Sequence, residues 1–158
     1  AVLAIETSGH AALKENYFLD DGAYLIAKLL IADAQLSTEG KRLGDLIATL
    51  GQPAETMEYR FTIIKEPIFE VGNAIIKDFA AFIAATEDMA LVADHLEGVR
   101  VNLSGQYGEG WFILRLSLHE PLLVWTIESD AVGKLPLIAQ TVLPFFKGRL
   151  ELDTGHLH

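Results

Sequence analysis

The chain has no cysteine, and its 12 basic residues are outnumbered by 22 acidic ones. Without cysteine it has no disulfide framework and no thiolate site, which is compatible with a cytoplasmic protein. The formal net charge of −10 repels both nucleic acid and anionic lipid, so we expect neither nucleic acid nor a membrane as a partner. A local positive site needs only a few donors and is not excluded by this charge.

Long apolar runs are also missing: none approaches the roughly 18–20 residues of a membrane helix. No secretory signal peptide is visible. The chain does have a hydrophobic fraction of 51%, which predicts a packed core. It starts with Ala1 instead of Met, and residues 1–5 predict a buried strand without any lead-in. We therefore expect a piece of a longer protein.

The first 52 residues predict a strand, a loop and a helix that belong to an α/β domain. Residues 2–5 form the strand, and Glu6-Thr7-Ser8-Gly9-His10 at its end is typical of a substrate loop. The acidic pair before Gly22 predicts a helix cap, followed by helical spacing to about residue 35. A shorter helix is predicted over 41–50.

Residues 53–158 predict a second domain, so the fold class is α+β. Its element order is β-α-β-β-β-α: a four-stranded antiparallel sheet with two helices on one face, as in TBP-like folds. The predicted strands and helices cover, in chain order, residues 56–64 (β), 68–86 (α), 99–103 (β), 111–116 (β), 122–128 (β) and 131–147 (α). The aromatic residues of these elements are expected in the core, not around a cofactor: Phe79, Phe82, Trp125, Phe145 and Phe146.

Residues 111–121 begin as a hydrophobic strand and end as a polar turn. Arg115 and Ser117 are two residues apart, so their side chains leave the same face of the strand. His119 follows in the turn that Glu120 closes. A guanidinium binds phosphate oxygens bidentately while hydroxyl and backbone N–H groups complete the site, so this pattern is typical of an anion site. The alternative is an ordinary arginine, paired with Glu120 or solvated.

Two segments carry a family resemblance. Residues 6–10 resemble the sugar-binding loop Glu-x-Ser-Gly-His in the third domain of the α-D-phosphohexomutases, which are the phosphomannomutases and phosphoglucomutases. Residues 115–121 are similar to the phosphate-binding loop of the fourth domain, Arg-Pro-Ser-Asn/Gly-Thr-Glu-Pro, and Glu97-Gly98-Val99-Arg100 also resembles that domain. The resemblance implies that residues 1–52 are the end of the third domain plus a linker, and that residues 53–158 are the fourth domain.

The family interconverts hexose 6-phosphates and hexose 1-phosphates through a hexose bisphosphate. The resemblance implies that Glu6 accepts hydrogen bonds from sugar hydroxyls and that Ser8 supports it. His10 would be catalytic, by positioning the reacting hydroxyl or assisting proton transfer. Whether the hexose is mannose, glucose or glucosamine stays open. The implied phosphate ligands are the guanidinium of Arg115, the hydroxyl of Ser117 and the backbone N–H groups of Leu118 and His119.

The family's phosphoserine and Mg²⁺ sites lie in its earlier domains, and no stretch of this chain matches them. The resemblance therefore implies no cofactor or metal in this chain, with Mg²⁺ and phosphoserine in missing N-terminal domains of the same protein. Those domains and the hexose phosphate are the expected partners, and the chain alone is expected to be inactive. The alternative is a stand-alone interaction or ligand-binding module without catalysis.

The chain departs from the family pattern at two places. Leu118 and His119 replace Asn/Gly-Thr, so a hydroxyl ligand is lost; if protonated His119 replaces it, phosphate affinity should rise as pH falls through about 6–7. Many members also have an arginine a few residues beyond Glu-Pro, where this chain has Val124 or Trp125. Arg100, on a neighbouring predicted strand, is a candidate replacement.

Three weaker features complete the sequence picture. His156 and His158 form a possible metal pair, although a frayed tail is favoured. The acidic residues Asp88, Asp94 and Glu97 around His95 are expected to form a solvated loop. Apolar surface near residues 2–5 and 25–30 is expected to be exposed and to favour self-association.

Overall fold

The computed structural model describes residues 1–6, 9–93, 95 and 97–155. Its chain divides into two compact units, Ala1–Gly51 and Gln52–His158. The division falls beside the boundary predicted at residues 52 and 53, while the assignment of the units to two family domains stays a prediction.

The first unit contains an antiparallel strand pair and one long helix. Strand β1 (Leu3–Ile5) pairs with β2 (Ala11–Leu13), and α1 covers Gly22–Ser37. The Asp21 side chain accepts a hydrogen bond from the backbone N–H of Tyr24 at 3.0 Å, so it caps α1 as predicted.

The buried first strand that the composition predicts is wrong, and the exposed apolar surface expected near residues 2–5 is confirmed. Leu3 is 42% exposed and Ile5 is 62% exposed, and no residue of α1 is buried. A strand pair with a single helix cannot enclose a core by itself. The apolar surface expected near residues 25–30 is exposed as well, with Ile26 at 59% and Leu30 at 66%.

The second unit is built on a six-stranded sheet with two helices, in which every neighbouring pair of strands is antiparallel. The strand order is β4-β5-β6-β7-β3-β8. The elements are β3 (Glu55–Ile63), α2 (Ile68–Ala84), β4 (Met89–Leu91), β5 (Val99–Leu103), β6 (Gly110–Leu116), β7 (Leu122–Ser129), α3 (Leu135–Lys147) and β8 (Leu152–Asp153).

The α+β class is confirmed, but the sheet has six strands and not the predicted four. The additional strands, β4 and β8, have only three and two residues. Strands this short show no alternating pattern, so the sequence did not reveal them. The TBP-like topology itself stays a prediction.

Two helices of the structure differ from the helices predicted from the sequence. α3 begins at Leu135 and not at residue 131, because Gly133 has φ = 81° in the turn before it. The helix predicted over residues 41–50 is a short 3₁₀ turn, Leu43–Ile47.

Alternation along the central strands separates the sheet into two faces. One face packs with α2 and α3 in a single hydrophobic core, in which Trp125, Phe79 and Phe146 are fully buried. The ring centroids of Phe61 and Phe146 are 4.1 Å apart. The core role predicted for the aromatic residues is confirmed, with Phe82 and Phe145 partly buried against that core.

The opposite face of the sheet, which we call the open face, displays three arginines. Successive side chains of a strand point to opposite faces of the sheet, and the cross-strand register aligns neighbouring strands. Together they put these residues on the open face: Arg60, Arg100, Trp111, Arg115, Val124 and Thr126.

Candidate functional site

Arg115 lies near the end of β6 on the open face of the sheet. In the cross-strand register, Arg115 is opposite Val124 on β7, and Val124 is opposite Arg60 on β3. The guanidinium Nη1 of Arg115 lies 3.6 Å from a carboxylate oxygen of Glu97. This separation is longer than a normal hydrogen bond, so the contact is a loose ion pair.

The observed partner corrects two expectations. Arg115 pairs with Glu97 and not with Glu120, and Glu97 is not simply solvated. Gly98 allows this approach: it has φ = 63°, and a Cβ there would lie 2.0 Å from the carbonyl oxygen of Leu114. Only glycine lets the start of β5 run this close to β6.

The turn between β6 and β7 is held together by Ser117. Its hydroxyl oxygen accepts hydrogen bonds from the backbone N–H groups of His119 at 3.4 Å and Glu120 at 3.3 Å. The Ser117 backbone N–H donates to the carbonyl of Leu122 at 2.8 Å. Because a hydroxyl also has one proton to donate, Ser117 keeps a donor for a ligand while its oxygen organises the turn.

The predicted phosphate ligands thus occur within five consecutive residues but are not equivalent. The N–H of Leu118 donates no hydrogen bond within the described residues and is available to a ligand. The N–H of His119 already donates to Ser117, although the 3.4 Å distance is long. The His119 side chain is exposed.

A cleft of about 440 Å³ lies between this turn and the start of α2. Its lining is mainly apolar and includes Ile64, Ile68, Phe69 and Leu118. Arg115 does not line it, because its side chain is on the open face. Ser117 and His119 also line the cleft, so it contains predicted phosphate ligands of the turn but not the guanidinium of Arg115.

Arg100 does not replace the arginine missing from the family pattern. Its guanidinium stacks on the ring of Trp111, 4.1 Å from the ring centroid. Since Trp111 is four residues before Arg115 on β6, this stacking directs Arg100 away from the turn. Of the two positions proposed for the missing arginine, Trp125 is buried in the core and Val124 lies on the open face.

Arg60 was not identified from the sequence. Its Nε donates to a carboxylate oxygen of Glu58 at 2.8 Å. That hydrogen bond is the main reason that the pKa of Arg60 is raised, and the charge of Glu120 in the turn contributes less. The pairing of β3 with β7 brings Arg60 into the row that contains Arg115, and a register between distant segments is not visible in the sequence.

The first unit places Glu6 and His10 at the two sides of the β1–β2 hairpin loop. The N–H of Glu6 donates to the carbonyl of His10 at 2.9 Å, and Gly9 in this loop has φ = 87°. Nδ1 of His10 lies 3.5 Å from a carboxylate oxygen of Asp20. The sequence did not identify Asp20 as a partner of His10, because its proximity comes from the bridge between Ala12 and Asp20. The predicted ligand Ser8 lies outside the described residues.

Within the part of the chain that the structure describes, no group of three His, Asp or Glu residues is arranged to hold a metal ion. His156, His158 and Asp94 lie outside that part. Among the same described residues, no helix is long and apolar enough to cross a membrane.

The chain is similar to two curated bacterial enzymes. A phosphomannomutase/phosphoglucomutase of Pseudomonas syringae pv. tomato is 34% identical over 139 residues, which are 87% of this chain and 27% of that enzyme. The enzyme of the same name from Pseudomonas putida is 31% identical over 139 residues, again 87% of this chain and 27% of that enzyme. The chain belongs to the α-D-phosphohexomutase family. This confirms the family resemblance of the sequence. No family model matches the chain.

The chain spans only about a quarter of the length of those relatives and matches their C-terminal part. A solved structure of a phosphoglucomutase/phosphomannomutase family protein from Burkholderia thailandensis superposes with a TM-score of 0.62. The superposition covers 94% of this chain and 28% of that protein at 22% identity, and it supports the fold.

Proposed function

We propose that this chain is the substrate-binding C-terminal part of an enzyme that interconverts hexose 6-phosphates and hexose 1-phosphates. In this proposal the turn after β6 binds the phosphate and the β1–β2 loop binds sugar hydroxyls. The observation that carries it is the position of Arg115 directly beside a turn whose Leu118 N–H has no acceptor among the described residues. This pairing of a guanidinium with a free backbone donor suits a phosphate group.

Each group in the turn has a separate part in binding. Arg115 supplies positive charge and parallel N–H donors, Ser117 supplies its O–H, and Leu118 supplies its N–H. His119 stands where the family has a hydroxyl ligand, and its exposed imidazole can donate to phosphate when it is protonated. Glu97 competes with the phosphate for Arg115.

In the first unit, Glu6 accepts hydrogen bonds from sugar hydroxyls and His10 is directed at the reacting hydroxyl. The Asp20 carboxylate faces Nδ1 of His10 at 3.5 Å, which favours the tautomer with its proton on that nitrogen. Nε2 is then the atom that faces the substrate hydroxyl and takes up its proton.

The reactive groups of the proposed reaction lie outside this chain. Phosphoserine and Mg²⁺ would come from N-terminal domains of the same protein, so the chain alone is expected to bind without turnover. The exposed apolar surface of the first unit, with Val2 at 74% and Leu30 at 66%, is a surface that such domains would cover.

Calorimetric titration with sugar phosphates tests this function. Glucose 1-phosphate, glucose 6-phosphate and mannose 6-phosphate should each bind the chain, while free glucose and free mannose should give no heat. Arg115→Ala should abolish binding, and Arg100→Ala, which removes an arginine that stacks on Trp111, should not. Binding of the free hexoses with equal affinity, or unchanged binding to the Arg115→Ala variant, would contradict the proposal.

A further inference from the structure

We propose that Arg60 is a second phosphate-binding guanidinium, which together with Arg115 holds the phosphate above Val124 on the open face of the sheet. This inference rests on the proposed function of the turn after β6. It adds to that turn a residue from a different strand.

The strand register places the two arginines on either side of one residue. Arg115 on β6, Val124 on β7 and Arg60 on β3 are directly opposite one another in three adjacent strands. Neighbouring strands are about 4.8 Å apart, so the backbones of the two arginines are separated by about 10 Å. Both side chains leave the same face, and a separation of this size leaves room for one phosphate between two guanidinium groups.

The burial of Val124 indicates where the two arginine stems lie. Val124 is on the open face, yet only 4% of it is exposed. Its two direct cross-strand neighbours are Arg60 and Arg115, and arginine covers apolar surface with its aliphatic stem while its head stays in water. The side chains of Arg60 and Arg115 remain 61% and 37% exposed.

Both guanidinium groups keep donors for a ligand. Arg60 uses its Nε for Glu58 at 2.8 Å, and the contact of Arg115 with Glu97 at 3.6 Å is too long for a normal hydrogen bond. Each guanidinium has five N–H donors, so most remain unused within the described residues. The Glu58 carboxylate also accepts a hydrogen bond from the hydroxyl of Thr126 at 3.3 Å, one open-face position from Val124 on β7, and Glu97 precedes β5.

The turn that carries the other ligands is tied to the end of β3. The carbonyl of Pro121 accepts a hydrogen bond from the N–H of Ile63 at 2.7 Å, three residues after Arg60. The charge of Glu120 also raises the pKa of Arg60, after the larger effect of Glu58, so Arg60 is within electrostatic reach of the turn. The three surrounding carboxylates, of Glu58, Glu97 and Glu120, should keep the affinity for free phosphate weak.

Titration of the whole 158-residue chain with inorganic phosphate, followed by ³¹P and ¹H–¹⁵N NMR, tests the assignment. Because hydrogen bonds between charged groups are among the strongest, Arg60→Ala should weaken binding by about tenfold or more. Arg115→Ala should do the same. Arg100→Ala is the matched control, since it removes an arginine from the same face whose head stacks on Trp111, and it should change affinity less than about twofold.

A charge-balanced double variant separates direct contact from an indirect effect. Arg60→Ala alone leaves Glu58 without its partner, and that carboxylate could repel phosphate. Arg60→Ala combined with Glu58→Gln keeps the net charge, so the loss must persist in it if Arg60 itself binds phosphate. Recovery of wild-type affinity in the double variant, or an Arg60→Ala effect no larger than that of Arg100→Ala, would overturn the role of Arg60. If Arg115→Ala abolishes binding and Arg60→Ala does not, the role of Arg60 is refuted but the proposed function of the turn is not. If the wild-type chain shows no response to phosphate, both proposals are refuted. Unchanged dispersion of the amide spectrum checks that each variant is folded.

Discussion

Replacing Glu97 by glutamine should tighten phosphate binding. The Glu97 carboxylate faces the Arg115 guanidinium at 3.6 Å, so an incoming phosphate has to compete with it. Glutamine has the same shape as glutamate but no charge, and Gly98 keeps the backbone in place in either case.

The size of the effect follows from the exposure of the pair. The side chains of Arg115 and Glu97 are 37% and 58% exposed, so water and salt screen their attraction. Exposed ion pairs are worth about 0.2–1 kcal/mol, which corresponds to a decrease of about 1.4- to 5-fold in the dissociation constant. The gain should shrink as NaCl is raised, because the screening length is only about 10 Å at 0.1 M.

Calorimetric or NMR titration with inorganic phosphate at low ionic strength measures this change. Asp78→Asn is the matched control: it also removes one negative charge and one ion pair, with Arg149 at 2.9 Å, but on α2 at the covered face of the sheet. Its affinity for phosphate should equal that of the wild type. Weaker binding by Glu97→Gln, or an equal gain in Asp78→Asn, would refute the competition between Glu97 and phosphate.

Three further changes test the fold around the site. Trp125→Ala should lower the free energy of unfolding by about 3–5 kcal/mol in urea titrations, because the fully buried indole leaves a cavity. Glu55 has a lowered pKa, mainly because its carboxylate accepts a hydrogen bond from the N–H of Gly133. Glu55→Gln should therefore destabilise the chain above the unfolded pKa of about 4.3, and this difference should disappear as pH falls through the lower folded value. Gly98→Ala should lower the melting temperature and weaken phosphate binding, because its Cβ would lie 2.0 Å from the carbonyl oxygen of Leu114.

Matched variants give each of these results a reference. Trp111→Ala removes an indole from the open face and should cost less stability than Trp125→Ala. Gly133 also has a positive φ, but an added Cβ there would have no atom within 4 Å. Gly133→Ala should therefore perturb the fold less than Gly98→Ala. A stability difference between Glu55→Gln and the wild type that persists unchanged at pH 2 would contradict the assignment of the Glu55 hydrogen bonds.

The sequence predicted the elements that contain enough residues to show a period. β5, β6, β7 and α2 were located to within two residues, because alternation and helical spacing repeat several times in each. β8 has two residues and shows no period. The apolar composition of β1 alone indicated a buried strand, whereas the exposure expected near residues 2–5 is what the structure shows, since burial depends on what covers the strand.

The candidate site also has a part that the sequence predicted and a part that it did not. Arg115, Ser117 and His119 are neighbours along the chain, so their proximity was visible in the sequence. The partners that modify the site come from distant segments: Glu97 from before β5 and Arg60 from β3. Their positions depend on strand register, which is set by the packing of the whole sheet.

The most direct test of the account is a residue-resolved ¹H–¹⁵N NMR titration of the wild-type chain with inorganic phosphate. We expect amide shifts confined to the turn after β6 and to the neighbourhoods of Arg115 and Arg60. The largest shift should be at the amide of Leu118, whose N–H has no acceptor within the described residues. No amide shift at Ser117, Leu118 or His119 in tens of millimolar phosphate would contradict the proposal that this turn binds the phosphate of the substrate.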